Sequence, residues 1–269
     1  MRHHYGFYIT LSLAWITGLF LLLPAFITVP ISLTPTRWIS LPDGALSLRH
    51  YEALLTNQRW LSSFVDSLIV GTAATVLAVT IGTLCAIGLW RLSSKLAQYL
   101  RTLVLLPLIL PPVLSALALY KAWVLLGIYD TFIGVILAHT IMGTSFVLIT
   151  VSTQLAGLDH RLEMASRSLG AGIWRTMWSI IIPNIKAGVM SGAVFAFIIS
   201  WDEIVVTLFI SSRNVYTLPR KMWDGIRENV DPTVAAVATL LILSTLFLLT
   251  ASASRQIIIN RRVARGVKT

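Results

Sequence analysis

Charge is what this sequence has least of. Only 12% of its 269 residues are Asp, Glu, Lys or Arg, about half the roughly 25% of a soluble domain. Apolar residues make up 56% and the mean hydropathy is +0.81. That balance excludes an ordinary soluble enzyme and a disordered tail. The single cysteine, Cys85, excludes an intrachain disulfide framework, and its apolar setting gives it a packing role. No Gly-x-x-x-x-Gly-Lys-[Ser/Thr] loop is present to cradle a nucleotide phosphate. No Cys/His cluster has metal-ligand spacing, and no Gly-x-Ser-x-Gly elbow presents a nucleophile. His3 and His4 are neighbours near the N-terminus and are not expected to hold a metal. His139 stands alone in an apolar run and reads as a packed, hydrogen-bonded residue. Neither catalytic chemistry nor a cofactor is expected in this chain.

What is present is a series of long apolar runs. A helix needs about 20 apolar residues to cross the hydrocarbon core, and six stretches qualify: Phe7–Val29, Ser67–Trp90, Thr102–Tyr120, Thr131–Leu155, Ala187–Ser211 and Pro232–Ala253. The first has no charge between Tyr5 and Thr36. It is too long for a signal-peptide core of about 7–15 residues and is expected to be a retained span ending near Pro30. The expectation is an all-α membrane protein, one transmembrane domain over residues 1–269 with about six spans. Pro107, Pro111 and Pro112 in the third stretch are expected to kink it.

The net charge of +10 would raise nucleic acid as a partner in a soluble protein. Here the basic residues alternate with the spans, so topology explains them and nucleic acid is not expected. With the N-terminus inside, Arg2, Arg91, Lys95, Arg101, Arg161, Arg167, Arg175, Lys186 and the tail residues Arg255, Arg261, Arg262, Arg265 and Lys268 all fall on the inner side. Asp159 and Glu163 are the acids opposing them. The positive-inside rule then places both termini in the cytoplasm.

The loop between the fourth and fifth runs, about 159–183, is the most informative. Asp159 can cap a helix, and Leu162, Ala165 and Leu169 share one helical face. Gly170 and Gly172 supply a break through the left-handed region. Ile173, Trp174, Met177, Trp178 and Ile181 give a second turn its apolar side, and Pro183 marks a boundary. Two short amphipathic helices with a bend are expected at the membrane surface. They serve either as a plain linker or as a docking element for a soluble partner. The stretch resembles the loop of ABC importer inner-membrane subunits, Glu-Ala-Ala-x3-Gly-x9-Ile-x-Leu-Pro. Aligned on Gly170, the motif positions fall at Ala165-Ser166, Ile180, Ile182 and Pro183, and Met164 stands at the acid position with Glu163 one residue earlier. The resemblance implies that Glu163, Met164, Ala165, Ser166, Leu169, Gly170, Ala171 and Trp174 form the coupling contact with an ATPase subunit.

Asp202 and Glu203 interrupt the fifth run. An acid at the bilayer centre costs about 2.5–3.5 kcal/mol on insertion scales. Three readings stand: a helix that ends near Trp201 and leaves the pair at an interface, pairing with Lys121 or Arg213, or an acidic lining for a cationic solute. In the last, Trp201 or Trp223 adds cation–π contacts. Asp66 reads as the cap of the second span, and the loop carrying Arg220, Lys221, Trp223, Asp224 and Arg227 as a solvated loop or a docking face. From Ser200-Trp-Asp-Glu-Ile through Thr217-Leu-Pro219 to Asp231-Pro-Thr-Val-Ala-Ala-Val-Ala-Thr-Leu240, the chain is similar to the second permease of spermidine/putrescine transport systems.

That resemblance implies a type I importer fold in the bacterial inner membrane and uptake of polyamines, or of another small nitrogenous solute such as an opine or amino-acid derivative. It implies a second permease, two ATPase subunits that bind ATP and Mg, and an external solute-binding protein. With such a solute, the acidic-lining reading puts Asp202, Glu203 and Trp201 on its pathway. A secondary transporter working without ATP would show internal inverted repeats, and none is visible. A membrane-embedded enzyme would have only Asp202 and Glu203 to work with.

Overall fold

A computed structural model describes residues 2–92, 94–227 and 230–266. The side chains of Arg2, His3, His4, Arg261, Arg262, Arg265 and Lys268 lie outside the described residues. Among the described residues every regular element is helical: α1 (Arg2–Ser32), α2 (Arg49–Thr56), α3 (Gln58–Arg91), α4 (Lys95–Ile109), α5 (Pro112–Leu126), α6 (Phe132–Ala156), α7 (His160–Ser168), α8 (Ile173–Thr176), a π-helical turn (Met177–Ile181), α9 (Ile182–Asp202), α10 (Val205–Ile210), α11 (Leu218–Arg227) and α12 (Thr233–Gly266).

Five helical runs are long and apolar enough to cross a membrane: Gly6–Ser32, Gln58–Arg91, Phe132–Ala156, Ile173–Asp202 and Thr233–Ser252. The sixth is α4 with α5, bent by 108° at Leu110 and Pro111, where both residues are extended. Proline disfavours helix at the preceding residue and removes a backbone donor, so the expected kink is a full break. The two halves meet successive levels of α6. The Ser145 hydroxyl donates to Val104 O (2.6 Å), and the Trp123 indole donates to Gly134 O (2.8 Å).

The chain divides into two compact units, Met1–Leu61 with Met222–Thr269, and Ser62–Lys221. In the first, α1 and α2 both pack on α12. The Ser32 and Tyr51 hydroxyls bond at 2.8 Å, and buried His50 reaches Thr36 O at 3.1 Å. Away from that end α1 leaves its apolar side chains exposed.

The second unit is built on the antiparallel pair α6 and α9. Their backbones approach closely: a Cβ on Gly188 would lie 2.8 Å from Thr150 O and 2.6 Å from Gln154 Cγ. One apolar cluster joins α3, α4, α6, the π turn and α9 around Leu148, Leu155, Ile181 and Ile185, with Cys85 packed against it, a free thiol in a packing role. Another joins α3, α5, α6 and α10 around Val70, Trp123, Val135 and Ile210.

Several boundaries differ from the sequence reading. The second span begins at Gln58, so Asp66 sits turns inside α3 and is no N-cap. The fifth begins at Ile173, because helix continues straight through Pro183. The π turn shifts the bonding register just upstream: Ile182 N–H reaches back to Met177 O. Pro183 then occupies the first turn of α9, where its missing donor costs little, and the Asn184 side-chain amide bonds Ile180 O at 2.6 Å. The expected second surface helix is therefore the root of the fifth span.

Candidate functional site

The first candidate surface lies at the turn between α6 and α9. Asp159 caps α7 as its spacing predicts, accepting from Arg161 N–H at 2.8 Å. Gly170 ends α7 at φ +83°. Ala171 N–H bonds Ser166 O (3.1 Å) and Gly170 N–H bonds Arg167 O (2.9 Å), the paired bonds of a Schellman ending. Gly172 is extended and simply precedes α8, so only one of the two glycines supplies left-handed backbone. The Ser166 and Thr176 hydroxyls bond at 3.0 Å and tie α7 to α8.

The face shared by Leu162, Ala165 and Leu169 points outward, and α7 buries no residue. Leu169 is 89% exposed, Trp174 69% and Met164 59%. Trp178 and Ile173 are exposed too, while Met177 and Ile181 enter the core. Glu163 behaves oppositely. Its side chain is only 14% exposed and its Oε1 lies 2.8 Å from Arg91 Nη2. One residue before Arg91, Trp90 stacks on His160 with ring centroids 3.9 Å apart. The end of α3 thus grips α7 at two points, leaving Met164, Leu169, Ala171 and Trp174 around an uncovered apolar patch with Gly170 at its turn. No local pattern announces the Arg91 and Trp90 contacts, because about 70 residues separate the partners.

The second candidate surface is the interruption at Asp202 and Glu203. The helix ends there: α9 stops at Asp202 and Glu203 is extended. The helix end of the first sequence reading is present, and an acidic lining remains compatible with it. Pairing with Lys121 or Arg213 is absent, since neither acid meets a basic side chain among the described residues. Asp202 is exposed. Glu203 reaches forward along the chain, its Oε1 accepting from Val206 N–H at 2.8 Å, and so caps α10. Trp201 lies among aromatic rings, stacked with Phe197 at 5.6 Å and edge-on to Phe64 at 5.9 Å. Trp223 belongs to the other unit.

His139 holds this break in place. It is buried, with Nδ1 2.8 Å from Ser200 Oγ on α9 and Nε2 3.0 Å from Thr207 Oγ1 on α10. The Thr207 hydroxyl donates onward to Glu203 O at 3.3 Å, which leaves its oxygen to accept from the Nε2–H tautomer. The packed, hydrogen-bonded reading of His139 is what the structure contains.

Beside the break, residues 211–220 are clamped by Asp130 and Ser67, which the sequence did not single out, and by Asp66 and Arg220, for which it suggested other roles. Asp130, at φ 55°, accepts from the N–H groups of Ser212 (2.7 Å), Arg213 (3.1 Å) and Asn214 (3.2 Å) and from the Ser211 hydroxyl (3.1 Å). Burial raises its pKa, but those donors outweigh burial and leave it below the ordinary carboxylate value. Asp66 accepts from Tyr216 N–H (3.1 Å) and Ser67 Oγ from Leu218 N–H (2.7 Å). Arg220 donates to Ser211 O and Ser212 O, both at 2.9 Å, and lies over the Tyr216 ring. The stretch expected as a solvated loop is mostly helix α11, and Arg220 is a structural clamp. No group of His, Cys, Asp or Glu among the described residues is arranged to hold a metal.

Comparison with known proteins places this architecture. The chain is 28% identical over 91% of its length, and 95% of the relative's, to the spermidine/putrescine transport system permease protein PotC of Haemophilus influenzae. It is 30% identical to the molybdenum transport system permease protein ModB of Mycobacterium bovis, over 82% of this chain and 89% of that one. Among solved structures, a bacterial ABC transporter involved in import of the acidic polysaccharide alginate superposes with a TM-score of 0.69 at 14% identity, covering 94% of this chain and 96% of that one. The sequence profile of the binding-protein-dependent transport system inner membrane components matches residues 78–265. The chain belongs to that family: it is an inner-membrane permease component of a binding-protein-dependent ABC transport system, and a transport subunit, not an enzyme.

Proposed function

We propose that this chain, acting as a single permease domain, is one half of the membrane pathway of an ATP-driven polyamine importer. The observation that carries the substrate is the pair Asp202 and Glu203 at a helix break beside an aromatic cluster. An exposed carboxylate next to aromatic rings attracts an alkylammonium by charge and by cation–π contact. The same feature repels an oxyanion, so the similarity to a molybdenum permease does not extend to the solute. The similarity to PotC over nearly the whole chain points the same way. In this reading Asp202 meets the solute, Trp201 lines its path and Glu203 holds the break open through its cap on α10.

A second permease encloses the pathway with this one, and a solute-binding protein delivers polyamine from outside. Both termini lie in the cytoplasm. Two ATPase subunits bind ATP and Mg, and each permease offers one of them a docking loop. On this chain Met164, Ala165, Leu169, Ala171 and Trp174 make the contact, with Gly170 setting the turn and Ser166 bracing it. Glu163 acts within the permease and not at the docking surface. Helix is continuous from Ile173 to Asp202. A displacement of Trp174 by the closing ATPases is therefore delivered along α9 to the break at Glu203, which exposes the pathway to each side in turn. The test is uptake of labelled putrescine by cells lacking the chromosomal gene and carrying either the wild type or Trp174→Ala with Leu169→Ala. Loss of uptake with the protein still in the membrane supports the docking assignment, and unchanged uptake overturns it.

A further inference from the structure

We propose that the corner between α3 and α4 holds the phosphate headgroup of an anionic phospholipid. The corner contains a cleft of about 470 Å³ lined by Leu89, Leu92, Ser94, Lys95, Gln98 and Arg101, among others. A neighbouring cleft of about 420 Å³ shares Lys95 and Gln98 and adds Tyr99 and Thr102. Both are open grooves, and most of the side chains that line them are exposed.

Three observations select the ligand. The first is charge. Lys95 and Arg101 both line the cleft, and no acid occurs anywhere between Asp66 and Asp130 in the sequence. Arg91 nearby is ion-paired with Glu163, but Lys95 and Arg101 have no carboxylate partner among the described residues. The second is the start of α4, a helix of 15 residues capped by Ser94, which accepts from Ala97 N–H at 3.3 Å. Its first turn adds the positive end of a helix dipole to the two side chains. The third is the flank. Leu96, Tyr99, Leu100 and Leu103 are spaced as one helical stripe and are all exposed, Tyr99 at 74%. An apolar stripe with an interfacial tyrosine belongs against acyl chains, so the cleft beside it opens at headgroup depth. Basic pockets between spans at that depth are where anionic headgroups seat. The transported solute plays no part in this site, which is remote from the break at Glu203 along α6 and α9.

The experiment uses the transporter purified with its native partner subunits and placed in mixed bilayers of phosphatidylcholine and phosphatidylglycerol. Retained lipid is counted by native mass spectrometry. The wild type should retain phosphatidylglycerol over phosphatidylcholine, and inorganic phosphate should not displace it. K95Q/R101Q should lose about fivefold in retention for each charge removed. K95R/R101K should keep it, which separates charge from folding. Equal retention of the two lipids by the wild type, or unchanged retention by K95Q/R101Q, overturns the proposal. Displacement by inorganic phosphate overturns the lipid source and leaves a free-anion site.

Discussion

Arg91 and Glu163 form an ion pair at 2.8 Å between the end of α3 and the surface helix α7. Their side chains are 27% and 14% exposed, so solvent screens the pair only partly. It links the element that offers an apolar patch outward to a helix that crosses the membrane.

If α7 docks an ATPase as proposed, breaking that link should uncouple it without emptying it of contacts. Glu163→Gln is expected to lower thermal stability by about 1 kcal/mol, the upper range for a screened pair, and to reduce transport more than ATP binding. The exchange Arg91→Glu with Glu163→Arg should restore most of the loss. A double-mutant cycle on melting temperature and uptake checks this, and additive single effects would remove the pair from the coupling route.

His139 fastens α9 to α10 across the break, so its loss should be felt there first. His139→Leu leaves two buried hydroxyls, Ser200 and Thr207, without the ring. An unsatisfied buried polar group costs about 1–3 kcal/mol, so the variant should melt well below the wild type and transport poorly. His139→Gln should recover part of both. A His139→Leu protein as stable as the wild type would mean the ring is packing alone.

The Asp130 clamp gives a pH dependence with a defined sign. Its folded pKa lies below the ordinary carboxylate value, the net result of burial that raises it and donors that lower it further. A depressed acid stabilises the fold fully above its unfolded pKa, and that contribution fades as pH falls through the folded one. Stability from this group should therefore be flat from neutral down to mildly acidic pH and decline only in strong acid. Asp130→Asn should remove that acid-side decline and loosen residues 211–214, read by hydrogen exchange. An Asp130 contribution lost near neutral pH would contradict the geometry.

Gly188 sets how closely α6 and α9 pack. Gly188→Ala puts a methyl against the fixed Thr150 carbonyl. Overpacking of this kind costs about 1–3 kcal/mol, and melting of the purified complex measures it.

The spans, the Asp159 cap and the Gly170 turn were legible in the sequence because each is written in a local pattern: an apolar run, a capping residue, a glycine after a helix. The limits of what local pattern carries are equally specific. Helix continues through Pro183 because a π turn upstream absorbs the missing donor, and no residue pattern announces that turn. Asp66 looked like a cap because the apolar run begins after it, yet Trp60 to Val65 extend the helix the other way. Asp130 and His139 act on residues more than 60 positions away, so their roles exist only once the chain has folded. Glu163 was visible as an acid near the docking motif, but its direction, inward to Arg91, depended on where α3 ends.

The most direct test of the transport reading is uptake of labelled putrescine and spermidine by cells carrying Asp202→Asn, Glu203→Gln or both in place of the wild-type gene. Glu203→Gln keeps an oxygen to cap α10, so the double variant should remain in the membrane and melt close to the wild type. Uptake of both polyamines should fall at least tenfold, about the 1.4 kcal/mol of one lost charge contact. Full uptake by a stably inserted double variant would contradict an acidic polyamine pathway at the break in the fifth span.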